Sequence, residues 1–81
     1  MEHQLKIWPE YYTAMMFGSK SLEVRKNDRE YKISDYLFLR EWDPKTKNYT
    51  GRVLARMVIN ILYGGQFGIE KGYVVMSLQV V

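Results

Sequence analysis

The chain has no cysteine, so neither a disulfide nor a thiolate-bound metal can staple it. That absence fits a reducing compartment. It has one histidine, His3, and its acids are scattered, so no metal-ligand set can be assembled from the sequence. No apolar run approaches the ~20 residues of a membrane-spanning helix. The opening residues, Met1 to Lys6, lack the basic-then-apolar layout of a secretory leader. A Gly-x-Ser-x-Gly nucleophile motif is missing. The glycine-rich stretch Gly64-Gly65-Gln66-Phe67-Gly68 is no phosphate loop, because its spacing is wrong and no Lys-Ser/Thr pair follows it. These absences predict a cytoplasmic protein without metal, cofactor or membrane partner.

What is present describes a small globular chain. Its 81 residues predict a single domain over 1–81. A chain this short buries only roughly 60% of its unfolded surface, so its core is small. The hydrophobic content of 47% is ample for folding. The net charge of +3 barely favours a nucleic-acid partner by itself. Its distribution says more. Residues 45–56 carry Lys45, Lys47, Arg52 and Arg56 and no acid, and residues 20–32 hold five bases against three acids. A lone cluster of this kind also describes an ordinary solvated surface.

The apolar pattern predicts one helix and about five strands, an α+β, mainly β chain. Residues 3–7 alternate as a first strand. Pro9 suits the first turn of a helix over 9–17, Glu10 favours its N-terminus, and Gly18 suits its C-terminal cap. Residues 21–26 predict a second strand, followed by a turn at Asn27-Asp28-Arg29. Tyr36 to Trp42 alternate as a third, stopped by Asp43-Pro44. A polar basic loop then leads to a long strand over 52–62, and the last strand runs from Tyr73 to Val81. Such short strands around one core predict a small β-barrel.

The densest chemistry lies in Gly18-Ser19-Lys20-Ser21-Leu22-Glu23-Val24-Arg25. Strand alternation places Glu23 and Arg25 on one face and Leu22 and Val24 on the other. The apolar pair is the natural core anchor, so Leu22→Ala is expected to destabilise the fold. Strict alternation would put Lys20 with Leu22, so Lys20 must precede the strand or be re-aimed by a bulge. As a bare pattern, Glu23 and Arg25 equally describe a surface ion pair worth little.

The spacing Gly-x-Lys-x-x-Glu-x-Arg resembles the hallmark of the ASCH domain, a branch of the PUA-like superfamily of small β-barrels linked to RNA. His3 to Ile7 with Pro9-Glu10-Tyr11-Tyr12 resembles the opening of a compact ASCH-like family, DUF3850, frequent in bacteria and their phages. Arg25 to Arg29, Leu39 to Pro44, Tyr49 to Arg52 and Gly64 to Gly68 fit the same pattern, which covers nearly the whole chain. Where that family has a glycine before the turn aspartate, this chain has Ser34.

The resemblance implies a PUA-like barrel and a polar pocket at the motif. The expected function is RNA or nucleotide binding. Lys20 offers a point charge, Arg25 a planar fork for phosphate or a base edge, and Glu23 orients either cation or accepts from a base. Lys26, Arg29, Arg40, Lys45, Lys47, Tyr49 and Arg52 extend this candidate surface, with Tyr49 expected in the polar loop as a stacking ring. Two alternatives stand beside it. Some ASCH-like proteins hydrolyse modified nucleosides, which would make Lys20 and Glu23 an acid–base pair. The family's threonine is Glu23 here, however, so the motif holds no hydroxyl nucleophile, and Glu41 and Glu70 are the remaining candidate glutamates. The other alternative is a module that docks a protein partner.

Overall fold

A computed structural model describes residues 1–81. The elements in chain order are β1 (Glu2–Ile7), α1 (Pro9–Met16), β2 (Leu22–Lys26), β3 (Tyr36–Asp43), β4 (Asn48–Tyr63) and β5 (Tyr73–Val80). All five strands form one sheet in the order β1-β3-β4-β5-β2. The β1–β3 pair is parallel and the other three are antiparallel. The fold is thus the α+β, mainly β arrangement expected: a curled half-barrel with one short helix. No helix is long and apolar enough to cross a membrane.

The curl follows from β4. Its sixteen residues pair first with β3 and then with β5, and the register slips between Val58 and Asn60. A bulge at such a slip bends the strand and strengthens its twist. The inner face gathers Leu5 and Ile7 from β1, Leu37 and Leu39 from β3, Val58 from β4 and Val74, Met76 and Leu78 from β5. Tyr12 and Met15 of α1 complete this core, with Tyr31 from the β2–β3 connection. Pro9 opens α1 as expected, and the helix ends before Gly18, whose φ of +79° is left-handed.

Two local expectations are corrected. Leu22 and Val24 do not anchor the core: they are 48% and 59% exposed, and Glu23 and Arg25 take the inner face. The register decides this. Glu23 lies opposite Met76 and Arg25 opposite Val74, both core residues of β5. Alternation sorts a strand into two faces but does not say which one is inside. The loop after Asp43 is also shorter than expected. Asp43 Oδ1 accepts from the Lys45 amide at 2.8 Å, and its carbonyl accepts from the Lys47 amide at 2.7 Å. These bonds tighten the reversal, so β4 already begins at Asn48 and Tyr49 belongs to a strand.

Ser34 has a φ of +79°, a region that strains residues with a Cβ. The fold holds it there because its amide donates to the Val58 carbonyl at 2.8 Å while Asp35's carbonyl accepts from Val58. Ser34→Gly is therefore expected to leave stability unchanged or raise it by up to about 1 kcal/mol, with glycine's flexibility in the unfolded chain offsetting part of the relief. In the same urea titration, Leu22→Ala should stay within about 0.5 kcal/mol of the parent. Leu39→Ala should lose about 2–5 kcal/mol.

Candidate functional site

The sheet curls without closing. β1 and β2 are its two edge strands, and no backbone ladder joins them. Arginine side chains span the seam instead. Arg25 Nη2 donates to the Lys6 carbonyl at 2.6 Å, and Arg29 Nη1 donates to the Gln4 carbonyl at 3.1 Å. Gln4 and Lys6 are alternate residues of β1, so both carbonyls face its free edge. Edge carbonyls that would otherwise need water or another strand are satisfied by guanidinium groups.

A cleft of about 600 Å³ opens along this seam. One wall is the end of β1 with Lys6, Ile7 and Trp8, continued by Tyr11 of α1. The other is Lys20, Glu23, Val24 and Arg25. Lys20 precedes β2, one of the two placements expected for it, although Leu22 does not face the core as that expectation assumed. The reversal after α1 puts it there: Gly18 turns the chain, and the Lys20 amide and Ser19 Oγ both donate to the Ala14 carbonyl, at 3.1 Å each.

Glu23 is the centre of the charged wall. It is buried, and its two oxygens are held separately. Lys20 Nζ donates to Oε1 at 2.9 Å, and Arg25 Nε donates to Oε2 at 2.6 Å. Lys20 Nζ also donates to the Leu22 carbonyl at 2.6 Å. The carboxylate thus fixes both cations at the cleft, each about a quarter exposed, with side-chain accessibilities of 29% and 27%. The opposite wall offers rings. Trp8 and Tyr11 are 46% and 52% exposed, and Lys20 Nζ lies 5.9 Å from the Tyr11 ring centre.

The structure thus brings Lys20, Glu23 and Arg25 together and adds Arg29 further along the seam. The rest of the expected surface is dispersed. Arg40 stacks on Tyr49 at 4.1 Å in the β3–β4 pair. Lys45 and Lys47 lie exposed in the β3–β4 turn, and Lys26 ends β2. Arg52 is committed to Glu41, to which it donates twice at 2.8 Å, and it stacks on Tyr12 at 4.5 Å. Lys6, Trp8 and Tyr11 line the cleft but were not among the expected site residues. The signal was Trp8 immediately before Pro9, an aromatic at a strand–helix junction whose flanking core positions are already filled.

Two further ionic clusters cap the apolar interior. His3 Nε2 lies 2.8 Å from Asp35 Oδ2, with the His3 ring edge-on to Tyr31 at 4.8 Å. Burial acts to raise the Asp35 carboxyl, but bonds from His3, the Lys32 amide and the Met1 amino group outweigh it and hold the pKa below its ordinary value. Glu41 is held low chiefly by its bonds from Arg52, against its burial, and Thr50 Oγ1 adds a further bond at 2.7 Å. Arg56 is buried without a carboxylate partner. It donates to the Ala55 and Met15 carbonyls, so it meets the C-terminal end of α1, where a cation is favoured.

These features define a small mainly-β domain with a charged and aromatic cleft at an open sheet seam. The chain belongs to the DUF3850 family, described as a domain of unknown function, whose model matches residues 2–78. It is also similar to an uncharacterized 12.9 kDa protein in the GpA 3′ region of Escherichia phage P2, with 32% identity over 59 residues. That match covers 73% of this chain and 52% of the phage protein, so the chain spans about half the length of this curated relative.

The two depressed carboxyls set an acid limit. Each has a folded pKa below its unfolded one, so its stabilisation is complete above the unfolded value of about 4. It is lost as pH falls through the lower folded value. Thermal unfolding should therefore show a midpoint that is flat above about pH 5 and falls steadily below about pH 4, with Glu41→Gln shallower in that limb.

Proposed function

We propose that this chain is an RNA- or nucleotide-binding module whose ligand enters the seam cleft, and that its family is an ASCH-type branch of the PUA-like domains. One observation carries the reading: two exposed rings and two oriented cations share one cleft of about 600 Å³. That volume falls in the ~300–1,000 Å³ range of sites for single small ligands. Rings stack on bases and cations meet phosphate or base edges. The motif Gly-x-Lys-x-x-Glu-x-Arg supplies the cleft's charged wall, which supports the ASCH-type assignment. Arg29 continues the positive charge along the seam beyond the cleft.

The state of Glu23 favours binding over acid–base chemistry. Each of its oxygens already accepts from a cation, so both are engaged in orienting Lys20 and Arg25. A carboxylate so held is a positioning group for its two neighbours and an acceptor for a ligand.

Titration of the labelled chain with a short single-stranded RNA tests the proposal through Trp fluorescence and amide shifts. Shifts are expected in residues 6–11 and 18–29, with affinity falling steeply as salt rises. Arg25→Ala should weaken binding and reduce the salt slope by about 1. Unchanged affinity in a folded Arg25→Ala chain would remove this residue from the site. Absence of shifts at any salt would end the reading.

A further inference from the structure

We infer that the cleft selects an unpaired uracil-type base, read by the row Lys20–Glu23–Arg25. The inference rests on the nucleotide-binding reading above and names the ligand of the same cleft. Unspent hydrogen-bonding capacity carries it. The Lys20 ammonium has three hydrogens and commits two, to Glu23 Oε1 and the Leu22 carbonyl. The Arg25 guanidinium has five N–H groups and commits two, to Glu23 Oε2 and the Lys6 carbonyl. The Glu23 carboxylate offers about four acceptor positions and uses two. Across the cleft wall the free groups therefore run donor, acceptor, donor.

The pairing edge of uracil carries the complementary order: carbonyl, ring N–H, carbonyl. Its N–H would donate to Glu23 while its two carbonyl oxygens accept from Lys20 and Arg25. The other bases fit worse. Cytosine and adenine place a ring-nitrogen lone pair against the Glu23 carboxylate. Guanine supplies a ring N–H, but its 2-amino group would face a cation, donor against donor. A site built on buried, oriented polar groups penalises such mismatches, because the unmatched groups lose solvent without gaining a partner. The edge is free only in an unpaired nucleotide, whose base can lie on the Trp8 and Tyr11 rings. These rings favour no base in particular, so selectivity falls to the charged wall.

The test titrates the intact chain with uridine 5′-monophosphate, cytidine 5′-monophosphate and N3-methyluridine 5′-monophosphate, followed by Trp fluorescence and amide NMR. The three probes carry a similar phosphate charge, so their ratios report the base edge and not general electrostatics. Uridine monophosphate should bind at least about tenfold tighter than either of the others. That preference should persist as salt weakens all three. Equal binding of the three would overturn uracil selectivity and leave nucleotide binding standing. Failure of every nucleotide and of the RNA to bind would overturn both. Glu23→Gln replaces one acceptor oxygen by an amide donor. In a variant that keeps the parent amide pattern, the uridine preference should collapse, and its retention would overturn the role given to Glu23. Where that variant does not fold, the N3-methyl comparison decides the question in the parent chain.

Discussion

A sheet that curls until its edge strands face each other must either hydrogen-bond those edges or hold them apart by other means. Here the means is Arg25. Its guanidinium reaches from the inner face of β2 to a β1 carbonyl, and its Nε is fixed by Glu23. The same side chain therefore sets the width of the cleft, satisfies a backbone group and leaves donors facing the opening. A backbone ladder would have closed the seam and filled this space. The cleft exists because the barrel is finished by side chains, with Arg29 repeating the arrangement two β1 residues away.

The placement of charge follows from the small size of the core. Eleven buried hydrophobic residues fill the middle of the half-barrel. Around them lie His3 with Asp35, Glu41 with Arg52, and Glu23 with Lys20 and Arg25. Each buried carboxylate keeps a cationic or histidine partner, as the cost of desolvating a charge demands. The clusters differ in their surroundings. Glu41 and Asp35 are closed by neighbours from their own β-hairpin, turn or edge. Glu23 alone lines the large cleft, so only this cluster can offer its spare lone pairs to a ligand.

Much of the architecture was legible in the chain. Pro9 and Gly18 bracketed the helix because each has a backbone property that few residues share. Alternation located β1, β3 and β5, and the β-branched and aliphatic run over 52–62 located most of β4, whose first residues were taken for loop. The inside of β2 was not legible, because Leu22 and Val24 obey the same period as Glu23 and Arg25. Only pairing with β5, some fifty residues away in sequence, decides between the faces. Tyr49 was misplaced because Asp43 shortens the turn through two hydrogen bonds that composition does not reveal. The positive residues looked like one surface, yet Arg40 and Arg52 are each drawn to a local partner. The aromatic wall was missed for a related reason: Trp8 and Tyr11 are ordinary core residues by type, and their exposure depends on the seam staying open.

The strand order also bears on when the cleft can come into being. β1 and β2 are close in sequence yet stand at opposite ends of the sheet, and β2 is held only by β5. During synthesis, the residues that carry the charged wall leave the ribosome early and have no neighbour to pair with. They must wait for residues 73–80 to emerge before β2 acquires a partner strand. A nascent chain lacking that segment would possess the whole motif and no pocket. Formation of the cleft's charged wall is thereby tied to completion of the sheet, and a premature stop before Tyr73 leaves β2 without its partner strand however intact the residues from Gly18 to Arg25 remain.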